Sequence, residues 1–323
     1  METATKNRQS EACIQTMVQN AFPGSYARKI TELTEGFFNV AYNVALSGGD
    51  EIILKIAPPK ESPVMTHEKN IMWAEVECMR LVKSRTKVPV ADVLYYDNSR
   101  SVCSSDYFFM SKINGRSLNS ISAELSEEAK AEIDLQAGKI NAEINRITGS
   151  RFGYFAQEDR QGSNWFEVFS GIIHDVLNDA KAFKIDIGVD YDEILGLLAG
   201  CRSIFEEVTV PKLVHWDLWA GNIFTQDGEI TGIIDLERCL WADELMEVGF
   251  RSYNQNENFL KGYGVTSLTP VQQERVKWYD LYLFLVCALE CDYRQYPNHD
   301  QLIWAWGKIR EVTDCLQNGS RMA

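Results

Sequence analysis

Asp217, Asn222 and Asp235 are residue types, at a spacing, that could work on a phosphate. The segment Leu213-Val214-His215-Trp216-Asp217-Leu218-Trp219-Ala220-Gly221-Asn222-Ile223-Phe224 sets a carboxylate and an amide five residues apart. Thirteen residues beyond the amide, Ile233-Ile234-Asp235-Leu236-Glu237 carries a second carboxylate at the end of an apolar strand. Phosphoryl transfer needs a base for an attacking hydroxyl, and oxygen donors that hold Mg²⁺ on a polyphosphate. Asp217 suits the first task, Asn222 and Asp235 the second.

Such a set works only if the chain around it is folded to bring it together. The pattern of the first third is strand-like: 27–33, then 37–46, a Ser47-Gly48-Gly49-Asp50 turn, then 51–57, closed by Pro58-Pro59. Glu68, Met72, Glu75, Met79 and Val82 follow at steps of three and four, which predicts a helix with two carboxylates on its apolar side. Strand-like stretches at 93–96 and 107–113 come next, ending at Asn114-Gly115. From Ser126 onward helical patterns dominate, with helices expected around 165–182, 191–207 and 270–292. The strand-like stretch 212–236 interrupts them and holds the three residues above. The expected fold is therefore α+β and bilobal: residues 1–111 form a small lobe with an antiparallel sheet, residues 112–323 a larger, mostly helical lobe.

Here the chain resembles the aminoglycoside phosphotransferase and choline kinase group of small-molecule kinases, whose fold is protein-kinase-like. His-Trp-Asp-Leu-Trp-Ala-Gly-Asn-Ile-Phe stands where that group has His-Gly-Asp-x-x-x-x-Asn, and Ile-Ile-Asp-Leu-Glu where it has its metal-binding strand. The resemblance covers roughly residues 25–300 and implies roles for further residues. Lys55, ending the strand Glu51-Ile52-Ile53-Leu54-Lys55, would contact nucleotide phosphates, with Glu75 as its ion-pair partner and Glu68 as the alternate. Gly36-Phe37-Phe38-Asn39 would be the phosphate-covering loop in a G-x-x-N form, and Met110 to Ile113 the hinge whose backbone meets the adenine edge. His215 is expected to buttress the catalytic loop near the Asp235 segment. Asp243 and Glu247 would either orient that loop or stand at a solvated helix start. Implied cofactors are ATP or GTP with Mg²⁺. Trp216 departs from the glycine usual in the motif, and Leu236-Glu237 from the Phe-Gly of protein kinases. Only seven residues separate Asp235 from Asp243, too few for a long phosphorylatable activation loop.

Composition narrows the partners. The 323 residues are 45% hydrophobic and 24% charged, enough for a substantial core, and the formal charge is −14. Residues 112–323 hold 33 acidic against 20 basic side chains, while residues 1–111 are nearly balanced at 13 and 12. That field disfavours nucleic acid and anionic lipid and favours a cationic small ligand bearing a hydroxyl. Glu290 and Asp292, after the aromatic Tyr279-Asp280-Leu281-Tyr282-Leu283-Phe284 stretch, are the candidate substrate acids, with Trp165 and Asp159 as further pocket candidates. Aminoglycosides come first as acceptors, with choline, ethanolamine or a fructosamine as alternatives, and a catalytically silent kinase-like binding protein as the other class. The polar N-terminus and eight cysteines without a C-x-x-C pair predict a cytoplasmic chain with reduced thiols, and leave monomer and dimer open.

Overall fold

A computed structural model describes residues 5–36, 38–253 and 255–320. The first third forms a five-stranded antiparallel sheet in the order β1-β2-β3-β5-β4, from β1 (Ala27–Leu33), β2 (Val40–Leu46), β3 (Glu51–Ile56), β4 (Val93–Asp97) and β5 (Tyr107–Ser111). Helix α1 (Glu11–Ala21) begins at Ser10, whose side chain caps the Cys13 amide, and α2 (Ile71–Arg85) follows β3. Alternation along the strands divides the apolar residues between two cores. Ile52, Leu54 and Ile56 of β3 pack with Tyr107, Phe109 and the Ile14, Met17, Val18 face of α1. Ile53, Phe108 and Met110 join the larger core with Met72, Val76 and Met79 of α2. Lys55 has the parity of Ile53, so it too is on the α2 side.

The chain leaves β5 through a segment that passes against two other strands, and glycines permit the approach. At Gly115 (φ +100°) a Cβ would meet the Thr225 carbonyl oxygen at 2.4 Å, and at Gly232 one would lie 2.6 Å from the Ile113 side chain. This sets β6 (Arg116–Ser117) beside β9 (Ile223–Gln226), which pairs with β10 (Glu229–Ile233). After the short α3 (Leu118–Ile121) come α4 (Glu127–Ile144), β7 (Gly153–Tyr154), α5 (Trp165–Phe183), α6 (Tyr191–Ala199) and β8 (Lys212–Val214). Then β11 (Leu240–Ala242) completes a sheet ordered β7-β11-β8, and α7 (Glu257–Tyr263), α8 (Pro270–Tyr293) and α9 (Asp300–Ser320) end the described chain. Helix α8 opens with a Thr269/Gln272 capping box and Pro270 at its first turn, a strong start signal.

The expected α+β architecture, an antiparallel sheet followed by a mostly helical part, is the one observed, with local differences. The helix expected over 191–207 ends at Ala199, where Gly200-Cys201 leads into a 3-10 turn, Arg202–Phe205. Glu68 lies in a 3-10 turn ahead of α2, not on it. The second strand begins at Val40 instead of 37, and Phe37 lies outside the described residues. No helix among the described residues is long and apolar enough to cross a membrane.

Candidate active site

Residues far apart in sequence converge on the Lys55 ammonium. Its Nζ donates to Glu75 Oε1 at 2.6 Å and to Asp235 Oδ1 at 2.5 Å. Strand alternation puts Lys55 opposite α2, and Glu75 is on the buried face of that helix. The lysine and Glu75 side chains are 8% and 1% exposed, whereas Asp235 keeps 32% exposure and so remains open to a ligand. Burial alone would lower the Lys55 pKa, but the carboxylates of Asp235, Glu75 and Glu237 outweigh it, so the ammonium stays charged. Burial opposes ionisation of Asp235 as well, and Lys55 reverses it, holding that carboxyl below its usual range.

The turn bearing Asp217 is held by backbone hydrogen bonds on two sides. Buried Glu247 accepts from the amides of His215 at 2.9 Å and Trp216 at 3.1 Å, and from Asn145 Nδ2 at 2.9 Å. His215 is fully buried and its Nε2 lies 3.1 Å from the Ile234 carbonyl oxygen, joining the loop to the residues between β10 and Asp235. Asn222 Nδ2 donates to the Asp217 carbonyl at 2.8 Å, and the Ile234 amide donates to the Asn222 carbonyl at 3.0 Å. Asp217, Asn222 and Asp235 are thus adjacent. Burial pushes the half-buried Asp217 up to about 7, with Arg238 pulling down and Asp235, Glu290 and Glu237 pushing up. A carboxylate near neutrality is matched to proton transfer at physiological pH.

Trp216 explains why this motif ordinarily takes glycine. Its φ is +69°, a left-handed conformation that costs a side-chain-bearing residue about 1–2 kcal/mol. The ring recovers that by packing: it is 2% exposed, 5.5 Å from the Tyr282 ring, with the Arg238 and Arg251 guanidiniums 5.3 and 5.9 Å from its centroid. Trp216→Gly is expected to lower stability by about 2–3 kcal/mol, because losing a buried tryptophan costs about 3–5 and removing the strain returns only part. Urea unfolding would measure it, and an unchanged or higher midpoint would mean that strain dominates.

A model of the phosphotransferase enzyme family matches residues 29–269. The chain belongs to that family. Among solved structures, a Ralstonia eutropha JMP134 protein carrying the provisional name aminoglycoside phosphotransferase superposes with TM-score 0.65 at 12% identity, covering 98% of this chain and 99% of that one. The GDP and kanamycin complex of APH(2″)-IIIa gives TM-score 0.62 at 18% identity over 93% and 98% of the two chains. The ternary complex of a thermostable APH(4)-Ia mutant with AMP-PNP and hygromycin B gives 0.62 at 19% over 93% and 97%. These likenesses concern the fold. Two curated relatives, subtelomeric hrmA-associated cluster proteins of Aspergillus fumigatus strains, are 28% identical over 120 residues, 37% of this chain and only 23% of their own length.

The remaining sequence candidates divide. Lys55, Glu75, Asp217, Asn222 and Asp235 come together as described, and Glu68 is elsewhere, accepting from Arg294 Nη2 at 2.9 Å. Asn39 donates through Nδ2 to Glu237 Oε2 at 2.6 Å, so the turn after Gly36 is tied to the Asp235 segment; Asn39 Oδ1 is buried without a partner among the described residues. Met110 pairs in register with Ile53 and Val93 within the sheet, and Ile113 covers Gly232, so their side chains are packed. Asp243 and Glu247 are both buried, neither at a solvated helix start; Glu247 braces the loop, while Asp243 receives Arg275 Nε and the Tyr279 hydroxyl, each at 2.8 Å.

Two substrate candidates, Trp165 and Glu290, need correction. Trp165 is a core residue, 1% exposed, its Nε1 donating to the Tyr279 hydroxyl at 2.8 Å. Glu290 is committed to two guanidiniums, Arg238 at 2.5 Å and Arg294 at 2.9 Å; burial would raise it, but these charges hold it at about 2. Asp292 is exposed on the other side of α8. Periodicity marked the acids and aromatics of α8 but could not reveal that arginines from other elements neutralise Glu290. Asp159 is exposed on a 3-10 turn, Glu158–Arg160. Arg238, Arg294 and Asn145 carried no sequence signal, since lone arginines and asparagines are common on surfaces.

Proposed function

We propose that this protein transfers the γ-phosphoryl group of ATP or GTP to a hydroxyl of a small molecule. The observation that carries this is the convergence of Lys55, Glu75 and Asp235 within 2.6 Å, beside Asp217 and Asn222 on a braced loop. The donor set fits Mg²⁺: Asn222 Oδ1 and Asp235 are hard oxygen ligands, and two protein ligands suffice for a cation that keeps waters and phosphate oxygens. Among the described residues no cluster of three or more His, Cys, Asp or Glu side chains could hold a metal by itself, so phosphate oxygens and waters would have to complete the coordination of an ion at this pair. When bound, the metal and triphosphate supply the phosphoryl group and the positive charge on its oxygens. Lys55 adds its own charge, oriented by Glu75. Asp217 accepts the proton of the acceptor hydroxyl, and the amides fixed on Glu247 keep its backbone still as it does so.

The two lobes would meet at 111/112, with Gly36 and the backbone near Met110 and Ile113 lining the nucleotide. For the acceptor, amino sugars of the aminoglycoside kind come first. Support comes from the excess of carboxylates in residues 112–323 and from the kanamycin, hygromycin B and streptomycin held by structural neighbours, rather than from Glu290, which is already neutralised. Choline, ethanolamine and fructosamines are the alternatives. The test is acceptor-dependent release of nucleoside diphosphate, with and without Mg²⁺, over these classes. Turnover with one class is expected. Tight nucleotide binding with no phosphorylated product from any of them would instead make this a kinase-shaped binding protein.

A further inference from the structure

We infer that Lys6 is a second nucleotide-phosphate lysine, delivered by an N-terminal strap that lies outside the part of the chain matched by the family model; the inference rests on the nucleotide site proposed above. Residues 5–10 run across the sheet ahead of α1 and are fixed along their length. Thr5 is buried, Asn7 Nδ2 donates to the Ala57 carbonyl at 3.2 Å and to Ser105 Oγ at 2.8 Å, and the Gln9 amide donates to the Tyr42 hydroxyl at 3.3 Å. Arg8 pairs with Glu32 of β1 at 2.8 Å. The strap lies ahead of residue 29, where the family match begins.

The strap delivers one ammonium to the turn between β1 and β2. Lys6 Nζ donates to the Asn39 carbonyl at 2.7 Å and lies 3.8 Å from where a Gly36 Cβ would be, against the backbone of the proposed phosphate-covering loop. The same Asn39 reaches through its side chain to Glu237. Lys6 is half-buried, and among the described residues its one hydrogen-bond acceptor is a neutral carbonyl, which leaves two N–H donors for a ligand. Burial lowers its pKa most; Glu32 opposes this, and the charges of Arg8, Lys55 and Asp235 also reach it. The ammonium therefore shares a field with the two residues that define the nucleotide site. Asp235 is already bonded to Lys55, so Lys6 stands as a second cation beside the loop that would cover the phosphates.

The experiment is calorimetric binding of ATP, ADP and AMP with Mg²⁺ to the full chain and to Lys6→Met, Lys6→Arg and Arg8→Ala, with a thermal melt of each. Loss of one charge-assisted contact should weaken ATP by about tenfold in Lys6→Met, ADP less, and AMP hardly at all. Lys6→Arg should keep most of the ATP affinity, and Arg8→Ala, which loosens the strap that carries Lys6 without removing the ammonium, should fall between Lys6→Met and the parent. A parallel loss for ATP and AMP would reduce Lys6 to a brace for the turn and overturn the inference, as would unchanged ATP binding in a folded Lys6→Met. Failure of the parent to bind any of the three would instead strike the nucleotide site itself, and Lys6 with it.

Discussion

Asp217→Asn is expected to lower kcat by about 10²–10⁴ with little change in the KM for nucleotide, because an amide can orient the acceptor hydroxyl but cannot take its proton. The pH profile provides the second half of the test. Burial pushes the Asp217 carboxyl up to about 7, so the parent should lose kcat/KM on the acid side of that value, where the base is protonated. The asparagine variant should lack this acid limb. Stability should move in the opposite direction. A carboxylate whose folded pKa lies above its unfolded value of about 3.9 adds a penalty on the folded state that grows as the pH rises between the two values, is complete above the folded one and is absent below the unfolded one. Asp217→Asn should therefore be at least as stable as the parent at pH 8. Full activity in the variant, or an acid limb that survives the substitution, would remove Asp217 from the role of base.

Lys55→Met should abolish detectable phosphotransfer and also destabilise the protein. Removing the ammonium leaves Glu75, 1% exposed, and Asp235 close together without their shared cation. Breaking a buried pair from one side costs about 3–5 kcal/mol, and the half-exposed Asp235 argues for the lower end. The loss should be smaller at pH 6 than at pH 8, since burial already pushes Glu75 upward and the lysine is the chief charge opposing it. A protonated Glu75 no longer repels Asp235. Lys55→Met combined with Glu75→Gln should regain part of the stability and none of the activity. Denaturant unfolding at both pH values, together with a turnover assay, separates the two roles. A double variant that regained turnover would show that the ammonium serves only to hold the fold together.

Local pattern made much of this molecule legible. Period-two alternation located the strands around Lys55, and spacing put Glu75 on the buried side of the following helix. The Asp217, Asn222, Asp235 spacing survived because a short loop and the β9–β10 hairpin after it return the chain to its start and leave little freedom in between. Errors arose where the answer depended on a partner distant in sequence. Trp165 reads as an aromatic near a pocket, yet Tyr279 and the surrounding rings bury it. Glu290 reads as an acid awaiting a cation, yet Arg238 comes from the segment after Asp235 to occupy it. Trp216 reads as a departure from the motif, and only its φ of +69° and its neighbouring guanidiniums show how the fold accepts it.

The order of residue types along the chain was enough to determine the sheet-first, helix-later order and most of the strands around Lys55, the spacing of the three phosphate-directed groups and the excess of acid in the second part, because all of these arise from near neighbours and composition. Packing alone decided which charges cancel. Whether Glu68 or Glu75 meets Lys55, whether Glu290 is free, and that Lys6 lies over the turn at Asn39 all depend on contacts between segments far apart in the chain. A charge interacts through space rather than along the backbone, so its partner is fixed only once the fold is complete.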